Sequence, residues 1–345
     1  MERKEVSFFS CAVDSDLPNL ALSQAVVGSA AAWDKTDEIF AQYREVGVLL
    51  WRDYPLSKLI AQVFSSASDV ATLGRQMPCH YGDDHFHTIS SPLATQIPQA
   101  AGAAYALKRT PGRENSCVVC YMGEGASSEG DFHAGLNMAS VLGGPVIFFV
   151  RNNGFAISTP SSQQYHGDGI AARGPGYGIE TVRVDGNDPL AVYIACVEAR
   201  KRAVEGQRPI LIEAMTYRVG HHSTSDDSSA YRSAAAVESI KKLDSPLFRL
   251  RRYLESLSPP LWSSTLEEST KAADKKKIMI AFSKAEGEKK PPLDSMWGDV
   301  YESLERPQRE QREELKRLVR KWGETKAWKR ELEKFEGGKE GFLKS

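Results

Sequence analysis

Apolar and polar positions follow two periods along this chain. Between Trp33 and Gly47 the apolar residues Trp33, Ile39, Phe40 and Tyr43 fall near helical spacing and predict a helix. Pro55 opens a second, shorter helix running to about Phe64, because proline's fixed φ suits a first helical turn. The stretch from Gly74 to Gly82 reads as loop. Serine followed by proline at Ser90-Ser91-Pro92 predicts the start of an Ala-rich helix that reaches Leu107.

From there the pattern changes. Apolar runs at Cys117–Met122 and Val146–Val150, and strand-like segments at Thr181–Val184 and Pro209–Ala214, alternate with predicted helices at Asp131–Leu142 and from Pro189 to about Val204. Short Val/Ile/Phe runs suit strands of a parallel sheet covered on both faces. The pattern predicts an α/β domain on an open parallel sheet. Beyond Ser245 come Lys/Glu-rich helical segments, interrupted at Ser258-Pro259-Pro260 and Lys289-Lys290-Pro291-Pro292. From Arg306 to Glu336, Leu315, Leu318, Val319 and Trp322 fall on one side of a mixed-charge segment, which predicts a solvated helical extension.

Composition narrows the partners. Lys plus Arg number 44 against 45 for Asp plus Glu, a net charge of −1, so neither nucleic acid nor an anionic membrane surface is expected as partner. The cysteines, Cys11, Cys79, Cys117, Cys120 and Cys196, are odd in number and scattered, which predicts a reducing interior rather than a disulfide framework. Cys117 and Cys120 form a C-x-x-C inside an apolar run and are expected to serve as packing groups. No apolar run reaches the roughly 18 residues of a membrane span. The start, Met1 to Cys11, carries Glu2 and Glu5 and lacks an organellar presequence's character, so no targeting segment is expected in this chain.

Two short segments carry chemistry. Gly123-Glu124-Gly125-Ala126 follows one predicted strand, and Arg151-Asn152-Asn153-Gly154 follows the next, with Asn153 29 residues after Glu124. Ligands of parallel α/β sheets bind at such carboxyl ends, where small residues let backbone N–H groups approach a phosphate. A carboxylate and an amide oxygen are hard donors suited to Mg²⁺ that also holds a diphosphate. Either half by itself reads more readily as a tight strand–helix turn.

The pair resembles the thiamine diphosphate motif, which begins Gly-Asp-Gly or Gly-Glu-Gly and ends about 30 residues later in Asn-Asn. From Val27 to about Arg252 the chain looks like the alpha chain of branched-chain 2-oxoacid dehydrogenase, decarboxylase component. The likeness includes Gln42-Tyr43-Arg44-Glu45, Ile89 to Gln96 and Asp168 to Ile179. The late loop, Gly220-His221-His222-Ser223-Thr224-Ser225-Asp226-Asp227, differs from the Gly-His-Ser-Met-Ser-Asp-Pro of pyruvate-specific relatives. The resemblance implies three parts: 1–26, divergent; 27–255, the thiamine diphosphate-binding α/β domain; and 256–345, a helical C-terminal extension.

It also implies roles for residues. Glu124, Asn153 and the main-chain carbonyl of Phe155 are similar to the Mg²⁺ ligands, with phenylalanine where the family has tyrosine. Tyr43, Arg44, Arg151 and His222 resemble the groups that grip the diphosphate, Gly125 and Ala126 those that line it, and Ser91 and Leu93 those near the aminopyrimidine. Arginine suits this because its planar fork pairs with phosphate oxygens. Ser90, Pro92, Thr95 and Gln96 resemble a potassium site, although their hydroxyls, taken without the resemblance, would read as a helix cap. His222 is the candidate catalytic residue and His221 a supporting one. Ser223 resembles an inhibitory phosphorylation site and Ser233 a secondary one.

The implied reaction is oxidative decarboxylation of a small branched-chain 2-oxoacid, with acyl transfer to the lipoyl group of a partner acyltransferase. Implied partners are a beta subunit, in an assembly of two alpha and two beta chains, and a regulatory kinase and phosphatase. The implied location is the mitochondrial matrix. Two alternatives stay open: a pyruvate-type alpha chain, and a subunit that keeps the fold and partners without the chemistry.

Overall fold

The structure, a computed structural model, describes residues 23–223, 225–298 and 301–345. Its frame is a five-stranded parallel sheet of β1 (Glu38–Phe40), β2 (Val118–Gly123), β3 (Val146–Asn152), β4 (Glu180–Asp185) and β5 (Ile210–Met215). The order across the sheet is β1-β2-β3-β5-β4, every pair parallel. All seven residues of β3, the middle strand, are buried, as a strand covered on both faces requires.

Alternation along the strands sorts the core. Val118, Cys120, Met122, Val146, Phe148 and Val150 share one cluster with Ile97, Ala100 and Ala104 of α2 (Gln96–Leu107) and Phe132 and Leu136 of α3 (Gly130–Leu142). The intervening Val119, Tyr121, Ile147 and Phe149 are equally buried. Tyr121 Oη meets the Ser29 hydroxyl of α1 (Ser23–Ala30) and the Trp33 indole N–H, each at 2.6 Å. Helix α4 (Pro189–Gly206) packs on α1: a Cβ on Gly28 would lie 2.5 Å from the Pro189 carbonyl oxygen. The expected parallel α/β architecture is therefore the one found. Cys117 and Cys120 are wholly buried free thiols whose pKa burial pushes far up, in keeping with packing groups.

Three elements differ from the sequence expectation. The helix predicted over Trp33–Gly47 is absent: Glu38–Phe40 is an edge strand in register with Val118–Cys120, and a short helix follows only at Val46–Trp51. Buried Asp37 fixes the strand's entry by accepting the Cys117 N–H at 2.9 Å and the Arg200 fork at 2.7 and 2.9 Å. Long-range pairing thus overrides local spacing. Helix α2 starts at Gln96 rather than at Ser91-Pro92, because Ala94 sits at φ 68° and breaks the first turn. In the last segment helices run over Arg306–Trp322 and Lys326–Leu332, and only Val319 of the four expected apolar contacts is fully buried.

The chain divides into two compact units, the first comprising the chain up to Tyr54 with Gly82–Asp274, the second Pro55–Tyr81 with Lys275–Ser345. This differs from the linear division at 255/256. Residues 55–81 belong with the C-terminal part because Ala67 N–H donates to the Lys289 carbonyl at 2.7 Å and the Ser66 hydroxyl to Glu288 at 2.8 Å. The expected 1–26 segment lies largely outside the described residues. Among those residues no helix is long and apolar enough to cross a membrane.

Candidate functional site

Strand register builds the site. Gly123, the last residue of β2, pairs with Arg151 of β3, and Asn152 pairs with Met215 of β5. Residues 124–126, 153–155 and 216–222 therefore leave the sheet side by side at its carboxyl edge. Glu124 opens a tight turn, Glu124–Ser128, in front of α3, and a Cβ on Gly125 would come within 3.0 Å of Ala156 Cβ. Gly154, at φ 81°, reverses the chain after β3.

These segments enclose a cavity of about 330 Å³. Tyr43 and Arg44 line it from the turn after β1, Glu124, Gly125 and Ala126 from β2, and Arg151, Asn153 and Phe155 from β3. Leu93 and His222 line it as expected, and Arg218 and Gln42 join them unforeseen. Ser91 is exposed and does not line this cavity.

The electrostatics are those of an anion site with a cation ligand at its base. Arg44, Arg151 and Arg218 bring three guanidinium groups to one cavity, and burial with the neighbouring arginines lowers the pKa of Arg44. Arg151 is paired with Glu45, both fully buried. Among the described residues Arg151 Nε, Arg218 Nε and Gln42 Nε2 are buried donors without a hydrogen-bond partner. Glu124 is 1% exposed; burial raises its pKa, against the Gln164 amide, which donates to it at 3.0 Å. A carboxylate so placed gains from a bound cation, and Asn153 Oδ1, which among the described residues accepts the Phe155 N–H at 3.2 Å, has a lone pair to add. The donor set therefore fits a metal-bound diphosphate.

His222 is held on three sides. Its carbonyl accepts Arg44 Nη2 at 2.8 Å, its N–H donates to Asp226 Oδ2 at 2.6 Å, and its Nδ1 lies 3.1 Å from Arg218 Nη1. Arg44 Nη2 also lies 3.3 Å from Nδ1 and 3.4 Å from Nε2, so both ring nitrogens face guanidinium donors. Burial, then Arg44 and Arg218, push its pKa from 6.5 down to about 4, so the ring is neutral at pH 7. The unfolded chain takes up a proton near pH 6.5 that the folded chain refuses until about 4. The melting temperature is accordingly expected to fall as pH drops through that window, and His222→Gln to remove part of the slope. Parallel wild-type and variant curves would contradict this.

The remaining expected residues fall elsewhere. Ser90 Oγ meets Thr95 Oγ1 at 3.1 Å, and Thr95 Oγ1 donates to the Pro92 carbonyl at 3.4 Å, so these three share one turn. The Gln96 amide N–H instead donates inward to the Tyr121 carbonyl at 3.0 Å. His221 Nδ1 accepts the Ser228 N–H at 3.0 Å, which places it in support of the loop. Ser223 is half-buried beside His222, and Ser233 is exposed ahead of the helix Ala234–Leu243. Arg218, unforeseen, carried one signal: it is an arginine three residues past the end of a core strand, at the sheet edge where ligands bind. Glu45 carried no signal beyond its place in Gln42-Tyr43-Arg44-Glu45.

Comparison with known proteins gives the family. The family model for the dehydrogenase E1 component matches residues 18–294. The chain is 58% identical over 300 residues to the human 2-oxoisovalerate dehydrogenase subunit alpha, mitochondrial, covering 86% of this chain and 66% of that one. It is 50% identical to the Caenorhabditis elegans protein of the same name, covering 86% and 68%, and 48% to subunit alpha 2 of Arabidopsis thaliana, covering 86% and 61%. The chain thus spans slightly under two thirds of the length of the human relative. On the family match over most of its length, this chain belongs to the dehydrogenase E1 component family.

Proposed function

We propose that the chain is the alpha subunit of a branched-chain 2-oxoacid dehydrogenase, decarboxylase component. The observation that carries this is the cavity at the ends of β2 and β3, where three arginines and neutral His222 face the buried Glu124. The family implies thiamine diphosphate. When bound, that group supplies the electron sink for loss of CO₂ from a 2-oxoacid.

The chain's own residues bind and orient. Arg44 and Arg151 neutralise the diphosphate, with Tyr43 beside them, and the neutral ring of His222 donates its one N–H to an acceptor oxygen without adding a cation. Gly125 and Ala126 keep the backbone close to it, while Ser91 and Leu93 belong to the aminopyrimidine end. Glu124, Asn153 and the Phe155 carbonyl hold Mg²⁺. Ser90, Pro92, Thr95 and Gln96 hold K⁺, which steadies the turn before α2. No carboxylate here is assigned to activate the aminopyrimidine, so a beta subunit supplies it, in an assembly of two alpha and two beta chains. The acyl group passes to the lipoyl group of a partner acyltransferase, and a kinase and phosphatase act at Ser223, with Ser233 secondary. The relatives' names carry the word mitochondrial, and the matrix is the proposed location.

The deciding experiment mixes the chain with a matching beta chain, thiamine diphosphate and Mg²⁺, and compares 3-methyl-2-oxobutanoate with pyruvate using an artificial electron acceptor. Preference for the branched substrate is expected; preference for pyruvate, or no turnover, would refute the reading. The chain without a beta partner is expected to decarboxylate nothing. Glu124→Ala and Asn153→Ala should each weaken Mg²⁺-dependent cofactor binding, because one of few hard ligands is lost. Calorimetry showing unchanged affinity in both variants would sink the metal assignment.

A further inference from the structure

Gln42 is 6% exposed, lines the cavity, and leaves its amide nitrogen without a hydrogen-bond partner among the described residues. Native proteins retain few buried donors in that state, because each loses its water without compensation. Arg151 repeats the feature at Nε. One carboxylate ties the two residues together: Glu45, 0% exposed, accepts the Gln42 backbone N–H through Oε2 at 2.7 Å and pairs with Arg151 Nη2 through Oε1. The anchor therefore engages the main chain of Gln42 and one end of the Arg151 fork, and the unpaired donors are what remains of each.

We propose that Gln42 is a further ligand-binding residue, its Nε2–H donating to an oxygen of the same diphosphate that Arg151 holds, with Glu45 as the positioning residue for both. This rests on the reading of the cavity as a diphosphate site. An amide suits the position physically. Arg44, Arg151 and Arg218 already crowd one cavity, and a fourth cation would add repulsion in a region of low dielectric. A neutral donor gives a charge-assisted hydrogen bond to the anion at no such cost. It also explains why an unsatisfied donor is tolerated: the ligand completes it.

The test is calorimetry of Mg²⁺-pyrophosphate and of thiamine diphosphate on the chain assembled with its beta partner, together with melting temperatures with and without ligand. Gln42→Met keeps the side-chain volume and removes the donor. It is expected to weaken both ligands about 10- to 100-fold, the equivalent of a hydrogen bond to a charged group. The ligand-free protein should melt at the wild-type temperature or above, since an unsatisfied buried donor has been removed. Gln42→Ala, which removes the same donor by truncating the side chain, should show the same loss of affinity. Wild-type affinity in both variants, with binding lost in Arg44→Met, would overturn the role of Gln42 and leave the cavity reading standing. A lowered ligand-free melting temperature in Gln42→Met with no loss of affinity would make Gln42 structural and overturn it too. Failure of the wild-type assembly to bind either ligand would remove the cavity reading, and this proposal with it.

Discussion

Glu213→Ala is expected to cost about 3–5 kcal/mol of folding stability, the range seen when one member of a buried charged cluster is removed. Glu213 lies within β5, 0% exposed, and accepts four donors: Ala171 N–H at 2.8 Å, Ile170 N–H at 3.0 Å, the Asn152 amide at 2.7 Å and Arg183 Nε at 3.0 Å. Arg183 is partly exposed and regains water when the carboxylate goes. The Ile170 and Ala171 N–H groups are left buried and unsatisfied, at about 1–3 kcal/mol each before relaxation, while Asn152 Nδ2 keeps the Tyr165 hydroxyl at 3.3 Å. The effect reaches the site, because Ala171 opens the segment Ala171–Tyr177, whose Arg173 donates to the Ser127 carbonyl at 2.5 Å under the Glu124 turn. A shift of the denaturation midpoint worth under about 1 kcal/mol would overturn this account.

The same residue sets an acid limit. Burial raises the Glu213 pKa, but the Ala171 N–H, the Asn152 amide, the Ile170 N–H and Arg183 outweigh it and hold the carboxylate below its usual 4.5. A folded-state pKa below the unfolded one contributes stability that is present above pH 4.5 and lost as pH falls through the lower folded value. Glu213→Gln should therefore flatten the stability curve below pH 4.5 and leave its shape at neutral pH unchanged.

Ser223→Glu is expected to abolish overall activity with lipoyl domain in the assembled enzyme, in line with the proposed phosphorylation. The loop after β5 is latched by one carboxylate: Asp226 Oδ2 accepts the His222 N–H at 2.6 Å and the Tyr231 hydroxyl at 2.7 Å, and that hydroxyl accepts Arg218 Nη2 at 2.7 Å. A phosphate, with roughly −1.5 to −2 charge, placed between His222 and Asp226 repels the latch and competes for the arginines that hold His222. Release of a loop on modification is an order–disorder switch. Ser233→Glu should have little effect, because Ser233 is exposed and directly precedes the helix Ala234–Leu243, where negative charge is favourable. Reductive acylation and limited proteolysis of the 220–232 loop check both. Near-wild-type acylation with unchanged protease resistance in Ser223→Glu would rule the mechanism out.

Much of the frame was legible from residue order. The runs Cys117–Met122 and Val146–Val150 announce central strands because a position buried on both faces admits only apolar side chains, and the strands found, Val118–Gly123 and Val146–Asn152, cover both runs except Cys117. The two chemical segments were readable for a related reason: consecutive parallel strands deliver their carboxyl ends to one edge, so Glu124 and Asn153 had to be neighbours if the strands paired. The start of α2 was not legible, since Ser90-Ser91-Pro92 is a good cap in isolation, and only the left-handed backbone at Ala94 delays the helix.

The sequence by itself determined the parallel α/β class, the central strands and the residues that meet at their ends, because these depend on periodicity and on chain direction. Tertiary structure decided what distance in the chain conceals. Glu45 and Arg151, 106 residues apart, close a buried ion pair; Ile39 lies in a strand rather than a helix because Val119 pairs with it; and Arg218 enters the cavity from β5. A buried charge finds its partner through space, and an edge strand exists only beside its neighbour, so neither leaves a local pattern to read.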